Sequence, residues 1–329
     1  MEVCKCRNRQ IIMAIIVSVF ILVLLGLLEK DTKDKSTYSY IYVTDLALDG
    51  DFDDFFDFAI VNKLKISNLT VVFDNAKLNQ RGKNSGTLVI DNWNKSVGDI
   101  DGKILIGKDN EFKSNIKETC TKKLVKIINR SRRSILITVG SLRDIAAIVQ
   151  DDSLKRNKIK KIVVFASDYE NTYMEYNVQL DPEAYNYVLH SGIKIYLVPC
   201  FEKGLWTTGE NSSYFVTTHE KLLKGCSDEL LKWFVNEYEK QNRKKINEQD
   251  FYDENRNIWA SSVLPYFMGA NYDEAIRKYN KENEFEKIDV PFKFKNNKKE
   301  DKNIYYFTTS NYDDYVKFSE WYINYLLKN

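Results

Sequence analysis

The stretch YVTDLALDGDFDDFFDFAI, residues 42–60, passes from a β-branched strand pattern into a helical one. Six acidic residues lie across the joint: Asp45, Asp49, Asp51, Asp53, Asp54 and Asp57. Carboxylates at this density repel one another and are costly to desolvate, so something must offset them. A helix N-terminus favours acidic side chains in its first turn, which accounts for Asp53 and Asp54 but not for six. Oxygen ligands without a neighbouring His or Cys point to Ca2+ or Mg2+ rather than zinc. An EF-hand loop does not fit, because the sixth position from Asp49 is Asp54 rather than Gly and the twelfth is Ile60 rather than Glu.

Outward from this joint, short β-branched runs alternate with helical patterns. The strands LTVVF (69–73), KILIG (103–107), SILITVG (134–140), KKIVVFA (160–166) and IKIYLVPC (193–200) are each separated by amphipathic segments such as TKKLVKIINR and SLRDIAAIVQ. Such alternation predicts an α/β fold, a mainly parallel central sheet flanked by helices. After Phe201 the pattern reads as helical, including NIWASSVLPYFMG. A charged loop near 293–303, the strand IYYFTT and a last helix, YDDYVKFSEWYINYLL, close the chain. In open sheets of this kind, ligands sit beyond the carboxyl ends of the strands. Three polar groups fall there: Asp49 to Asp54, Asp74 with Asn75, and Asp168 to Asn177.

The 329 residues, 43% of them hydrophobic, suit one large domain, placed at 38–329. Residues 1–10 are short and basic, and 29–37 form a polar linker. Between them, 11–28 (IIMAIIVSVFILVLLGLL) is long enough for a membrane-spanning signal anchor, with no small-residue cleavage site following it. An extracytoplasmic globular domain is the expected arrangement, with secretion after cleavage as the alternative. A net charge of +2 provides no bulk field for nucleic acid. His190 and His219 are the only histidines, which excludes schemes built on several. Cys120, Cys200 and Cys226 are too few and too widely spaced for a disulfide framework or a zinc site.

Four segments, in order, resemble the inosine–uridine-preferring nucleoside hydrolases. The run from Asp49 through Gly50, Asp51 and Phe52 to Asp53 and Asp54 has the family's spacing of an Asp, three residues and an Asp pair opening a helix. TVVFDNAKLNQRGKN is similar to its second strand, with Asn75 and Asn84 at the matching amides. ITVGSLRDIAAIV is similar to its strand–Gly–helix segment, and MEYNVQLDPEAYNYVLHSG (174–192) to its Glu-Phe-Asn and Pro-Glu-Ala pattern. A haloacid-dehalogenase-type phosphatase, with Asp49 as nucleophile, Asp51 as acid and Thr138 in support, fits the surroundings poorly.

The resemblance implies hydrolysis of the N-glycosidic bond of a ribonucleoside or related ribosyl compound, with Ca2+ as cofactor. Asp49, Asp54 and the Val139 carbonyl would hold the metal, and Asp49 would act as base toward water. Asp53, Asn75, Asn171, Glu175 and Asn177 would bind the sugar. The implied partners are a small nucleoside or ribosyl ligand and, through 11–28, a membrane. Homo-oligomerisation is left open. Glu175 and Asn177 also read as helix or turn caps, and Asp45 and Asp57, outside the pattern, as ordinary surface or cap residues. Three departures stand out: Ala47 replaces an acidic strand residue, Asp51 and Phe52 replace a Gly-containing turn, and Ala260 replaces the Asp of a late Trp-Asp-Pro segment. Loss of one ligating carboxylate weakens Ca2+ binding, because affinity follows ligand charge count. The alternative function is therefore a catalytically impaired ribose- or nucleoside-binding protein.

Overall fold

The computed structural model describes residues 38–48, 50–74, 85–100, 102–107, 111–113, 119–170, 175–296 and 302–329. The segment 11–28, the linker 29–37, Asp49, Asn75 and Asn171 lie outside the described residues. The chain divides into two units, 1–38 and 39–329, and the second carries the architecture below. Among the described residues no helix is long and apolar enough to cross a membrane.

Among the described residues ten strands occur: β1 (Tyr38–Thr44), β2 (Leu69–Phe73), β3 (Lys103–Ile106), β4 (Arg133–Thr138), β5 (Ile159–Phe165), β6 (Ile195–Val198), β7 (Phe215–Thr218), β8 (Asn255–Ile258), β9 (Lys293–Asn296) and β10 (Ile304–Thr308). Eight form one sheet, ordered β3-β2-β1-β4-β5-β6-β10-β9. The β1–β2, β2–β3, β4–β5, β5–β6 and β6–β10 pairs are parallel. In this sheet β9, at the edge, runs antiparallel to β10. The central strands are apolar along both faces, as burial under helices on two sides requires; Ile41, Tyr42 and Val43 are fully buried.

Register sets where the strands end. Thr44 pairs with Phe73 and Phe73 with Ile106, while Thr138 pairs with Val164 and Val164 with Leu197. Asp45, Asp74, Val139 and Ala166 therefore follow their strands at one edge. Chain order reverses between β1 and β4, where the Val139 amide donates to the Val43 carbonyl at 3.0 Å. That switch point is where two loops part and leave a crevice.

The helix Asp53–Lys63 leads away from this crevice and is buried through Val61. Its aromatic residues hold it on every side. Phe56 lies 4.6 Å from Phe234 between ring centroids, Phe58 5.4 Å from Trp93, and Phe52 5.4 Å from His219.

Two expectations are corrected. The region after Phe201 is not wholly helical, since β7 and β8 form an antiparallel pair with Phe215 opposite Ile258. These four-residue strands, FVTT and NRNI, are too short and polar to show an alternating signal. Part of the charged loop at 293–303 is β9, KFKN, whose lysines face solvent as expected of an edge strand.

Candidate active site

A cavity of about 540 Å3 opens at the switch point. Asp45 reaches it from the end of β1, Val139 from the end of β4, and Glu175 and Asn177 from the segment after β5. Asp53, Asp54 and Asp57 form its acidic floor, and Phe201, Leu205, Trp206, Trp259 and Ala260 line the remainder.

The floor is built by helical arithmetic. Asp57 lies one turn beyond Asp53 and Asp54, so all three share a face. Carboxylate oxygens of the three lie within 4.8 Å of one another, and Asp57 is 1% exposed. Desolvation, then repulsion from Asp51, holds Asp53 well above the ordinary carboxylate range. Asp54 is raised in the same way by desolvation and then by Asp45. Burial pushes Asp57 up to about 7, opposed by a hydrogen bond that it accepts from the Ser261 hydroxyl.

Across the floor, the segment after β5 turns through Ser167, whose φ of 72° is in the left-handed region that a Cβ disfavours. This turn lets the Ser167 amide donate to Glu175 Oε2 at 3.2 Å, while the Asn177 amide donates to Glu175 Oε1 at 2.9 Å. Glu175 thus caps the short helix Tyr176–Leu180 and faces the cavity as well. Asn177 donates its side-chain amide to the Val139 carbonyl at 2.9 Å, bridging β4 and this segment. Its other end, Oδ1, is buried and has no hydrogen-bond partner.

The rim is aromatic. Trp206, 54% exposed and with a left-handed φ of 64°, lies 5.9 Å from Trp259 and 5.5 Å from Phe201. Tyr214 packs 5.4 Å from Trp259.

The family model for inosine-uridine preferring nucleoside hydrolase matches residues 46–263. The chain belongs to this family. Among solved structures, the effector protein XOO4466 is similar at a TM-score of 0.52 and 10% identity, covering 88% of this chain and 93% of that one. A plant nucleoside hydrolase gives 0.50 and 13%, covering 88% and 99%. A purine-preferring ribonucleoside hydrolase from Gardnerella vaginalis gives 0.49 and 11%, with the same coverage. At such identities the likeness to the first two is one of fold. The search of curated protein sequences found no match. Membership of a nucleoside hydrolase family supports N-ribohydrolase activity in general and a small nucleoside ligand.

For a nucleoside hydrolase, the donor set fits a hard cation. Three carboxylates converge in a buried pocket, and Asn177, whose buried Oδ1 has no hydrogen-bond partner, lines the same cavity. Uncompensated, such a cluster must take up protons or strain the fold. Of the residues picked from sequence, Asp53, Asp54, Val139, Glu175 and Asn177 meet at one cavity, whereas Asp49, Asn75 and Asn171 lie outside the described residues.

Asp45 and Asp57 are corrected, since neither is an ordinary surface residue and both line the cavity. The spacing of Asp57 from Asp53 and Asp54 was a usable signal, but which face of a buried helix meets the cavity is set by packing. Trp206 and Arg256 were also missed. Arg256 stacks its guanidinium 4.7 Å from the Phe52 ring, donates to His219 Nε2 at 3.0 Å, and its charge favours ionised Asp53. Nothing local in the sequence marks those contacts.

Proposed function

We propose that this nucleoside hydrolase family member cleaves the N-glycosidic bond of a ribonucleoside, or a related ribosyl compound, in a Ca2+-dependent hydrolysis. The observation that carries this reading is the buried triad of Asp53, Asp54 and Asp57 lining one cavity with Asn177, whose buried Oδ1 has no hydrogen-bond partner.

Asp49, Asp54 and the Val139 carbonyl would hold the ion. When bound, Ca2+ supplies Lewis acidity toward water and a charge that orients two sugar hydroxyls. Asp49 takes the proton from the attacking water. Asp53, Asn75, Asn171, Glu175 and Asn177 bind the ribose hydroxyls. Bond breaking builds an oxocarbenium-like sugar, and carboxylates and amide oxygens fixed beforehand around it lower that barrier. Glu175 is suited to this by the backbone hydrogen bonds it accepts from Ser167 and Asn177, which lock its carboxylate. Trp206 and Trp259 offer ring faces to a planar leaving group.

Neither histidine lines the cavity. His219 is buried among aromatic rings and accepts from Arg256, and burial lowers its pKa to about 3, so it stays neutral. Departure of the base is therefore assigned to stacking and solvent rather than to a histidine acid.

One observation favours a second reading, a ribose-binding protein of slight activity: Ala260 lines the cavity without a charge. Ribose release from a nucleoside panel, with and without chelator, separates the two. Chelator-sensitive turnover abolished by Asp49→Ala is expected. Nucleoside binding without turnover would establish the second reading. We also propose that residues 11–28 tether the domain on the extracytoplasmic side of a membrane, where free Ca2+ is abundant.

A further inference from the structure

We infer that Asp57, held by Ser261, supplies to the cation site the carboxylate that Ala260 does not, so that the charge has moved from the loop after β8 to the helix Asp53–Lys63. The inference rests on the Ca2+ reading above and assigns a residue that this reading leaves unused.

Three observations converge on it. Ala260 lines the same cavity as Asp57, so the place without a charge and the additional charge share one space. The next residue, Ser261, is fully buried and donates its hydroxyl to Asp57 Oδ1, tying the late loop to the helix at that point. This bond engages one oxygen of Asp57 and leaves the other for the cavity. Asp57 also places an oxygen within 4.8 Å of oxygens of both Asp53 and Asp54, a spacing at which one ion can be shared.

The independent sign of a ligand is Asn177. The residue is 9% exposed and lines the same cavity, its side-chain amide is anchored to Val139, and its Oδ1 is buried without a hydrogen-bond partner. A buried acceptor left in this state is costly unless a donor or a cation completes it. A carboxylate presented from a rigid, fully packed helix is at least as well ordered as one presented from a loop. Ser261 then fixes its rotamer, as outer hydrogen-bond partners do for metal-binding carboxylates.

A purely structural role for Asp57, as a neutral acid bonded to Ser261, predicts no effect on metal binding. The test is calorimetric Ca2+ titration of the full chain and its variants, with thermal melting in chelator as the measure of folding. Asp57→Asn keeps the shape and the Ser261 bond while removing the charge. It is expected to weaken Ca2+ binding about tenfold or more. Adding Ala260→Asp to Asp57→Asn is expected to restore most of that loss, because the charge returns to the same space.

Wild-type binding that Asp57→Asn leaves within about twofold overturns this inference alone. Absence of Ca2+ binding by the wild type overturns the Ca2+ reading together with it. Ala260→Asp in the otherwise wild-type chain covers the case in which Asp57→Asn fails to fold. If Asp57 fills the place, the added carboxylate crowds the site and affinity changes little. A gain of about tenfold would show that the place was vacant and would overturn the inference.

Discussion

His219 is the residue whose titration has the simplest consequence. Its Nδ1 donates to the Phe251 carbonyl at 3.0 Å and its Nε2 accepts from Arg256, so a proton on Nε2 would meet a cation in an aromatic pocket. The folded pKa, lowered to about 3 by burial and then by Arg256, lies below the unfolded value. The unfolded chain therefore binds the extra proton first, and this contribution is lost as pH falls through the unfolded value toward 3. Between pH 7 and 5 it amounts to about 2 kcal/mol. Denaturant unfolding at both pH values should show that loss in the wild type and a shallower one in His219→Gln. Equal slopes in the two proteins would remove His219 as the cause. The acidic residues divide along similar lines. Asp53 and Asp54 were legible because adjacent acids open a helix, whereas Asp45 and Asp57 were not. Whether an isolated Asp faces water or a cavity depends on what packs over it, and local sequence does not carry that.

At the scale of elements, the loop from Phe201 to Ser212 matters most for ligand choice. It places Trp206 at the rim with a left-handed backbone, a conformation that costs a non-glycine residue about 1 kcal/mol. An exposed ring held in a strained position fits a role in contacting ligand rather than in holding the fold. Trp206→Gly should raise KM for nucleosides about tenfold, the scale of one base–aromatic stack. The melting temperature should stay level or rise slightly, since glycine adopts that φ freely. An unchanged KM would show that the leaving group does not reach this ring. The strands on either side of the switch point were legible as apolar runs, because burial on both faces demands continuous hydrophobicity. The β7–β8 pair and β9 were not. All three are four-residue strands, β7 and β8 are remote from each other in sequence, β9 pairs with the next strand across a short loop, and pairing rather than composition makes them strands.

For the molecule as a whole, the folded domain and the apolar segment 11–28 pose separate questions. Among the described residues no helix is long and apolar enough to cross a membrane, and the proposed tether is 11–28. Full-length protein should sediment with membranes and resist extraction by high salt, while a variant lacking residues 1–37 should not. Release of the full chain by salt would sink the anchor. The fold itself was determined by sequence alone: alternation of apolar strands and amphipathic helices predicts a mainly parallel sheet because each hydrophobic face must be covered. The motif around Asp53 and Asp54, with Glu175 and Asn177, likewise identified the family, since these residues lie in short contiguous patterns. The tertiary structure decided which carboxylates share the site. Asp57 meets Asp53, Asp54 and Ser261, 204 residues farther along the chain, only because packing turns one face of a buried helix toward the switch point. Periodicity records that a residue is buried, but not what it is buried against.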